Sequence, residues 1–154
     1  MNNIAYWRHK MNPNKIIIHH SLTEDGATVS WGAIRDYHVK TNGWRDIGYH
    51  YGIELVGENY EILKGRMDDE VGAHCLGFND NSIGICMVGN FDNAAPNDKQ
   101  LSLLKKLCRA LMNIYGIKTE DVLGHWETYE KMGQAVQKSC PGIKFSMPAF
   151  RAAL

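Results

Sequence analysis

The chain reads as an α/β fold, a mixed central β-sheet flanked by helices, and three observations predict it. Ile16-Ile17-Ile18 and the run from Ile83 to Gly89 are continuous apolar stretches of strand length, the pattern of strands buried on both faces. Residues 97–115 carry Leu101, Leu104, Leu107, Cys108, Leu111 and Met112 at helical spacing. Along the chain the order is strand, helix, strands, helix, strand, helix, which lays helices on the faces of a sheet.

The elements follow in order. Residues 15–20 form a strand because three consecutive isoleucines favour β structure and are too few for a helix. Residues 30–41 form a helix that Ser30 caps, with Ala33, Ile34, Tyr37 and His38 on one face and Asn42-Gly43 as its stop. Residues 49–63 read as two strands joined through Gly57-Glu58-Asn59. Residues 83–89 form a buried strand, and the helix over 97–115 ends at Gly116. Val122-Leu123 is a short strand leading to His125, and the stretch from His125 to Cys140 reads as a long loop. Ser146 caps a last short helix with Pro148 in its first turn. Active sites in such sheets gather at strand ends, and His19, Tyr49 and His125 all fall there.

Size and charge bound the function. A length of 154 residues suits one domain, here 1–154 with 1–14 as an N-terminal extension. Seventeen basic and seventeen acidic side chains balance, with no basic block, so nucleic acid is not an expected partner. No stretch reaches the ~20 apolar residues of a membrane span. The first ten residues lack the apolar middle of a signal peptide, which predicts synthesis in a cytoplasm and reduced cysteines. Cys86 and Cys108 sit in apolar runs as small core residues, whereas Cys140 precedes Pro141-Gly142 in a polar turn. Nothing calls for more than a monomer.

The residues that carry chemistry are histidines, a lysine and a cysteine. Two imidazoles and a thiolate suit Zn2+ and leave a fourth position open for water, as catalytic zinc sites do. His125 and Cys140 are close enough in sequence to meet across a loop, and folding must bring the second imidazole from far upstream. His19 and His20 compete for that place. Their side chains point to opposite faces of a strand, and spacing does not choose between them. His9, His38, His50 and His74 are further imidazoles: His38 suits helix packing, His50 should point away from Tyr49, and His74 sits in a loop where it can meet substrate.

A set of motifs then appears in register: Ile18-His19-His20-Ser21, Asp46-Ile47-Gly48-Tyr49-His50-Tyr51, Gly65-Arg66, Gly72-Ala73-His74, Asn81-Ser82-Ile83-Gly84-Ile85, Gly124-His125 and Lys138-Ser139-Cys140-Pro141-Gly142. From about residue 15 to 145 the chain resembles the type 2 N-acetylmuramoyl-L-alanine amidases, the superfamily of phage lysozyme-amidases (endolysins) and peptidoglycan recognition proteins. The resemblance implies an amidase/recognition-protein domain with His19, His125 and Cys140 as zinc ligands, and Tyr49 and Lys138 as catalytic residues. It implies hydrolysis of the amide between N-acetylmuramic acid and L-alanine in peptidoglycan, and a muropeptide stem as the partner. Zinc lowers the pKa of water toward ~7. An ammonium at Lys138 can stabilise charge on the carbonyl oxygen, and Tyr49 can donate a hydrogen bond.

Two departures qualify the match. Some bacterial members carry a glutamate as general base at the position of Cys86, and its absence resembles the phage branch. That points to an endolysin of a phage or prophage, made in the host cytoplasm and acting on the wall after release. The stretch from His125 to Cys140 is also longer than in compact members, with Glu127 and Glu130 as further acids near the metal in sequence. Two other functions compete: a peptidoglycan-binding module without catalysis, and a structural zinc protein whose fourth coordination position is closed.

Overall fold

The computed structural model describes residues 10–23 and 30–154. Five strands form one sheet in the order β3-β2-β4-β1-β5: β1 (Lys15–His20), β2 (Tyr51–Val56), β3 (Asn59–Lys64), β4 (Ser82–Met87) and β5 (Val122–Gly124). Strand β3 is antiparallel to β2, and all other pairings are parallel, so the sheet is mixed as expected. The helices are α1 (Trp31–Asp36), α2 (Asp98–Tyr115), α3 (His125–Lys131) and α4 (Met147–Ala152).

Strand β1 lies between β4 and β5, and Ile16, Ile17 and Ile18 are completely buried. Strand periodicity sends Ile16 and Ile18 to one face and Ile17 to the other. On the first face they join Ile53, Ile83, Ile85, Leu104, Leu111 and Phe150, the core beneath α2 and α4. On the second, Ile17 packs with Cys75, Phe78 and Leu123. Farther along that second face, Trp31, Ile47 and Cys86 form a third cluster.

Helix α2 follows the sequence closely. Asn97 and Gln100 form a reciprocal capping box, and Gly116 ends the helix in a left-handed conformation (φ 66°). A two-residue turn at Gly57-Glu58 closes the β2–β3 hairpin, pairing Val56 with Asn59.

Two local expectations need correction. The helix over 30–41 is α-helical only to Asp36 and then widens into a π-helical turn at Tyr37–Thr41, where Asn42 N donates to Tyr37 O. Of the expected face, Ile34 and His38 turn inward while Ala33 and Tyr37 are exposed, and Trp31 joins the buried side because its ring packs on β2 where Gly52 has no side chain. A Cβ at Gly52 would lie 2.4 Å from the Trp31 ring. Nor does His125 open a continuous loop, since α3 takes up the first seven residues.

Asp68 joins the two sides of the sheet edge. Its Oδ2 accepts hydrogen bonds from Tyr51 Oη (2.9 Å) and Tyr115 Oη (2.8 Å), and its Oδ1 meets the Lys64 ammonium. Burial alone would raise this carboxyl, but the bonds from Lys64, Tyr115 and Tyr51 outweigh it and hold Asp68 below the usual carboxylate range. Asp68→Ala is therefore expected to lower stability in urea unfolding by about 1–3 kcal/mol, leaving two phenols without their shared acceptor. Because the folded pKa is depressed, the ionic part is present above the unfolded pKa of ~3.9 and lost as pH falls through the folded value. The difference between parent and variant should shrink on acidification below about pH 4.

Candidate functional site

Strand β1 delivers the first site residue. Continuing its alternation, His19 projects to the Ile17 face and His20 to the α2 face. The structure thus separates the two imidazoles that spacing left undecided. His20 Nδ1 accepts from Phe91 N at 3.1 Å and serves packing. His19, 2% exposed, meets His125 and Cys140.

His125 is the first residue of α3, directly after β5. Gly124 brings this corner close to the C-terminal segment: a Cβ there would lie 2.8 Å from Pro141 and 2.9 Å from Met147. Trp126 N donates to Cys140 O at 2.8 Å, tying the start of α3 to the cysteine. The His20 amide in turn donates to Cys140 Sγ at 3.4 Å. One ligand atom from each of His19, His125 and Cys140 lies within 4.8 Å of the others, and His19 Nδ1 is 3.7 Å from Cys140 Sγ. Bonds of ~2.0–2.3 Å at tetrahedral angles space such ligand atoms about 3.3–3.8 Å apart, so a small closing movement fits a zinc-sized ion. No fourth His, Cys, Asp or Glu joins the group among the described residues. That donor set is the open kind, against a closed structural centre.

The centre lies in a cleft of about 500 Å³ whose walls include Leu22, Trp44, Tyr49, Gln137, Lys138 and Ser139. Tyr49 precedes β2, and its ring centroid is 5.2 Å from that of His19. The Arg66 guanidinium holds the Tyr49 and His74 loops together, donating to Ile47 O at 2.9 Å and Val71 O at 2.7 Å. Gly65 is needed there because a Cβ would lie 2.2 Å from Tyr49 O. The paired motifs Gly48-Tyr49 and Gly65-Arg66 thus form one brace.

Charge around the centre is controlled by burial. Burial, then the neighbouring His74 and His125, pushes His19 well below the ordinary imidazole range. Burial and the Lys138 ammonium lower His125 to about 4. Both rings are therefore neutral at pH 7, the form that ligates a cation. Burial lifts the Cys140 thiol to about 12, so a bound cation must displace its proton. Burial also raises Tyr49, with Cys86 and Cys140 adding to it, and the phenol keeps its proton as a donor. No carboxylate lines the cleft among the described residues.

The remaining histidines are placed as follows. His38 is buried and accepts from Gly48 N at 3.0 Å, a packing role, while still reaching the cleft. His50 points away from the centre, accepting from Gly84 N (3.0 Å) and bonding Glu70 O (2.8 Å). His74 lies against His19, with Nδ1 2.9 Å from His19 Nε2, a contact that its loop position did not announce. His9 lies outside the described residues.

Glu127 and Glu130 do not serve the centre. Glu127 makes a two-pronged ion pair with Arg151 (2.7 and 2.8 Å) and accepts from Gly124 N at 2.8 Å, which caps α3. Glu130 is exposed and does not line the cleft.

Together these features describe an α/β domain with a cleft in which His19, His125 and Cys140 could hold a metal ion. A profile of the N-acetylmuramoyl-L-alanine amidase family matches residues 9–143. The chain belongs to this family and is an N-acetylmuramoyl-L-alanine amidase. The endolysin of Escherichia phage T7 is 33% identical over 114 residues, 71% of this chain and 73% of that protein. The endolysin amidase LysCS from Clostridium intestinale superposes with a TM-score of 0.77 at 33% identity, covering 93% of this chain and 84% of its own. A mutant of the Drosophila recognition protein PGRP-LB in complex with tracheal cytotoxin gives a TM-score of 0.71 at 28% identity, covering 89% and 80%.

Glu127→Ala should destabilise the fold by about 1–3 kcal/mol in urea unfolding, because Arg151 and the Gly124 amide lose their acceptor. Glu130→Ala should change it by no more than about 0.5 kcal/mol. Equal effects from the two would remove the capping role.

Proposed function

We propose that the chain is a zinc-dependent endolysin of a phage or prophage that hydrolyses the amide between the lactyl group of N-acetylmuramic acid and L-alanine. The observation that carries this reading is the convergence of His19, His125 and Cys140 on the floor of an open cleft beside Tyr49 and Lys138. His19 Nδ1, one His125 nitrogen and Cys140 Sγ would hold the Zn2+. When bound, the ion supplies Lewis acidity and activates water at neutral pH.

The chain's own groups do the rest. Lys138 is exposed on the cleft wall, where its ammonium meets the negative charge that builds on the carbonyl oxygen. Tyr49 keeps its proton and donates a hydrogen bond to the tetrahedral centre. Leu22 and Trp44 offer apolar surface at the cleft mouth for the stem peptide and sugar. A cleft that no carboxylate lines among the described residues suits a reaction that gains negative charge. Cys86, buried beside Tyr49, stands at the position where some bacterial members carry a glutamate, which supports the phage-type division of labour between tyrosine and lysine.

We read residues 1–154 as one amidase domain with 1–14 as its N-terminal extension. It acts as a monomer on muropeptide stems, without nucleic acid or a membrane as partner. Synthesis in the host cytoplasm and action on the wall after release follow from the endolysin reading, which the phage relatives support.

Mass analysis of products from purified peptidoglycan tests the activity: released stem peptides should begin with L-alanine. Wall binding with no peptide released would leave a recognition module instead. Cys140→Ala should lose tight Zn2+ binding and activity together, and full activity in that variant would remove the metal. Lys138→Ala should retain Zn2+ and slow turnover by about 10²–10³, the scale of one lost oxyanion donor. A rate within a few-fold of the parent would exclude that role.

A further inference from the structure

His74 is not among the residues assigned above to the metal or the chemistry, yet it is held as firmly as they are. Its ring sits between two glycines. A Cβ at Gly72 would lie 2.5 Å from His74 Cδ2, and one at Gly84 would lie 2.5 Å from His74 Cγ. The backbone below is pinned as well, since Asn79 Oδ1 accepts from both His74 N (2.7 Å) and Cys75 N (2.8 Å). His50 packs edge-on against the ring at 5.6 Å, itself fixed by Gly84 and Glu70. Two missing side chains and an Asx-type turn therefore serve one imidazole.

The hydrogen bonds around it have only one consistent direction. The Phe78 carbonyl can only accept, so the Ser82 hydroxyl, 2.6 Å away, spends its proton there. Ser82 Oγ then offers a lone pair to His74 Nε2, at 3.5 Å, and the Ser82 backbone accepts from the same ring. His74 must carry its proton on Nε2, leaving Nδ1 as an acceptor. That acceptor is 2.9 Å from His19 Nε2, so His19 carries its proton on Nε2. The free lone pair of His19 is left on Nδ1, the nitrogen 3.7 Å from Cys140 Sγ.

We propose that His74 is the positioning residue of the metal centre: through Phe78, Ser82 and its own ring it fixes the tautomer and aim of His19, turning Nδ1 toward His125 and Cys140. This rests on the zinc reading above for what His19 binds, while the tautomer stands without it. Metal-bound histidines are commonly oriented by an acceptor on their second nitrogen, and loss of such a partner typically costs 10–100-fold in metal affinity. A neutral imidazole as that acceptor fits a cleft that no carboxylate lines among the described residues.

Two measurements test this. In the metal-free parent, long-range 1H–15N correlation of the imidazoles should show His19 and His74 each protonated on Nε2 alone. A proton on His19 Nδ1, or a mixture, would overturn the relay without any variant having to fold. Zn2+ affinity, read by competition with a chromogenic chelator, should fall about 10–100-fold in His74→Ala. His74→Asn should regain most of it, because the amide oxygen replaces the Nδ1 acceptor. A merely structural residue would instead lower the metal-free melting temperature of both variants alike, with affinity unmoved in either. A parent that binds no Zn2+ sinks the zinc reading and leaves the tautomers to decide the relay. A parent that binds it no more tightly than His74→Ala sinks the positioning role alone.

Discussion

Strand β1 is enclosed on every side: β4 and β5 pair with its edges, and apolar clusters cover both faces. Its backbone groups find partners in the neighbouring strands, the His20 amide at its end reaches Cys140 Sγ, and its three isoleucines anchor two cores at once. The strand cannot slip by one residue without exchanging the faces of Ile17 and its neighbours. His19 is the direct continuation of that constraint. Its height in the sheet is set by the pairing with Cys86, and its face by the isoleucine alternation. His19 is thus aimed by a strand buried along nearly its whole length, whereas His125 and Cys140 come from segments tied to each other through the Trp126–Cys140 bond.

The second face of the sheet is shaped by small residues. Gly52 admits Trp31, Gly84 admits His74, and Gly65 admits the backbone of Tyr49. His74 and Tyr49 line the cleft and Trp31 packs behind Tyr49, so the site is built by removing side chains from the sheet and its borders. The first face instead carries an unbroken apolar surface beneath α2 and α4. One sheet therefore has a side for stability and a side for chemistry, and a strand period of two allots every residue to one of them.

The elements that were legible in the sequence are those decided locally. β1, α2 with its Asn97 box and Gly116 end, the Gly57-Glu58 turn and the Ser146 cap depend on near neighbours and read true. Helix α3 was not legible, because its cap is Glu127 reaching back to Gly124, locked by an arginine from α4. The buried side of α1 is half legible for a similar reason: Ile34 and His38 follow the helical pattern, whereas Trp31 is drawn inward by a glycine on β2. At the site, the residues His19, Tyr49, His125, Lys138 and Cys140 were named from motifs. The choice of His19 over His20 needed either the resemblance or the face that β1 presents. The contact of His74 with His19 had no local signal. Only the Gly72-Ala73-His74 and Ser82-Ile83-Gly84 motifs hinted at it, and their meaning appears once the two glycines bracket the ring.

The electrostatic logic of the cleft follows from what surrounds it. Burial keeps His19 and His125 neutral, and Lys138 reinforces this from the wall. The same burial makes the Cys140 thiol hold its proton, so an empty centre is close to uncharged apart from the lysine. A divalent cation that exchanged for the thiol proton would add one net positive charge to a cleft lined by no carboxylate among the described residues. The direct compensation at the sulfur is a hydrogen bond from the His20 amide, with the Asp92 carboxylate acting on it from behind Ser139. A loaded site would thus be electropositive toward the cleft, where it favours negative charge on what enters. A neutral amide carries little such charge at rest and more as its carbonyl becomes tetrahedral, so the field favours the transition state over the bound substrate.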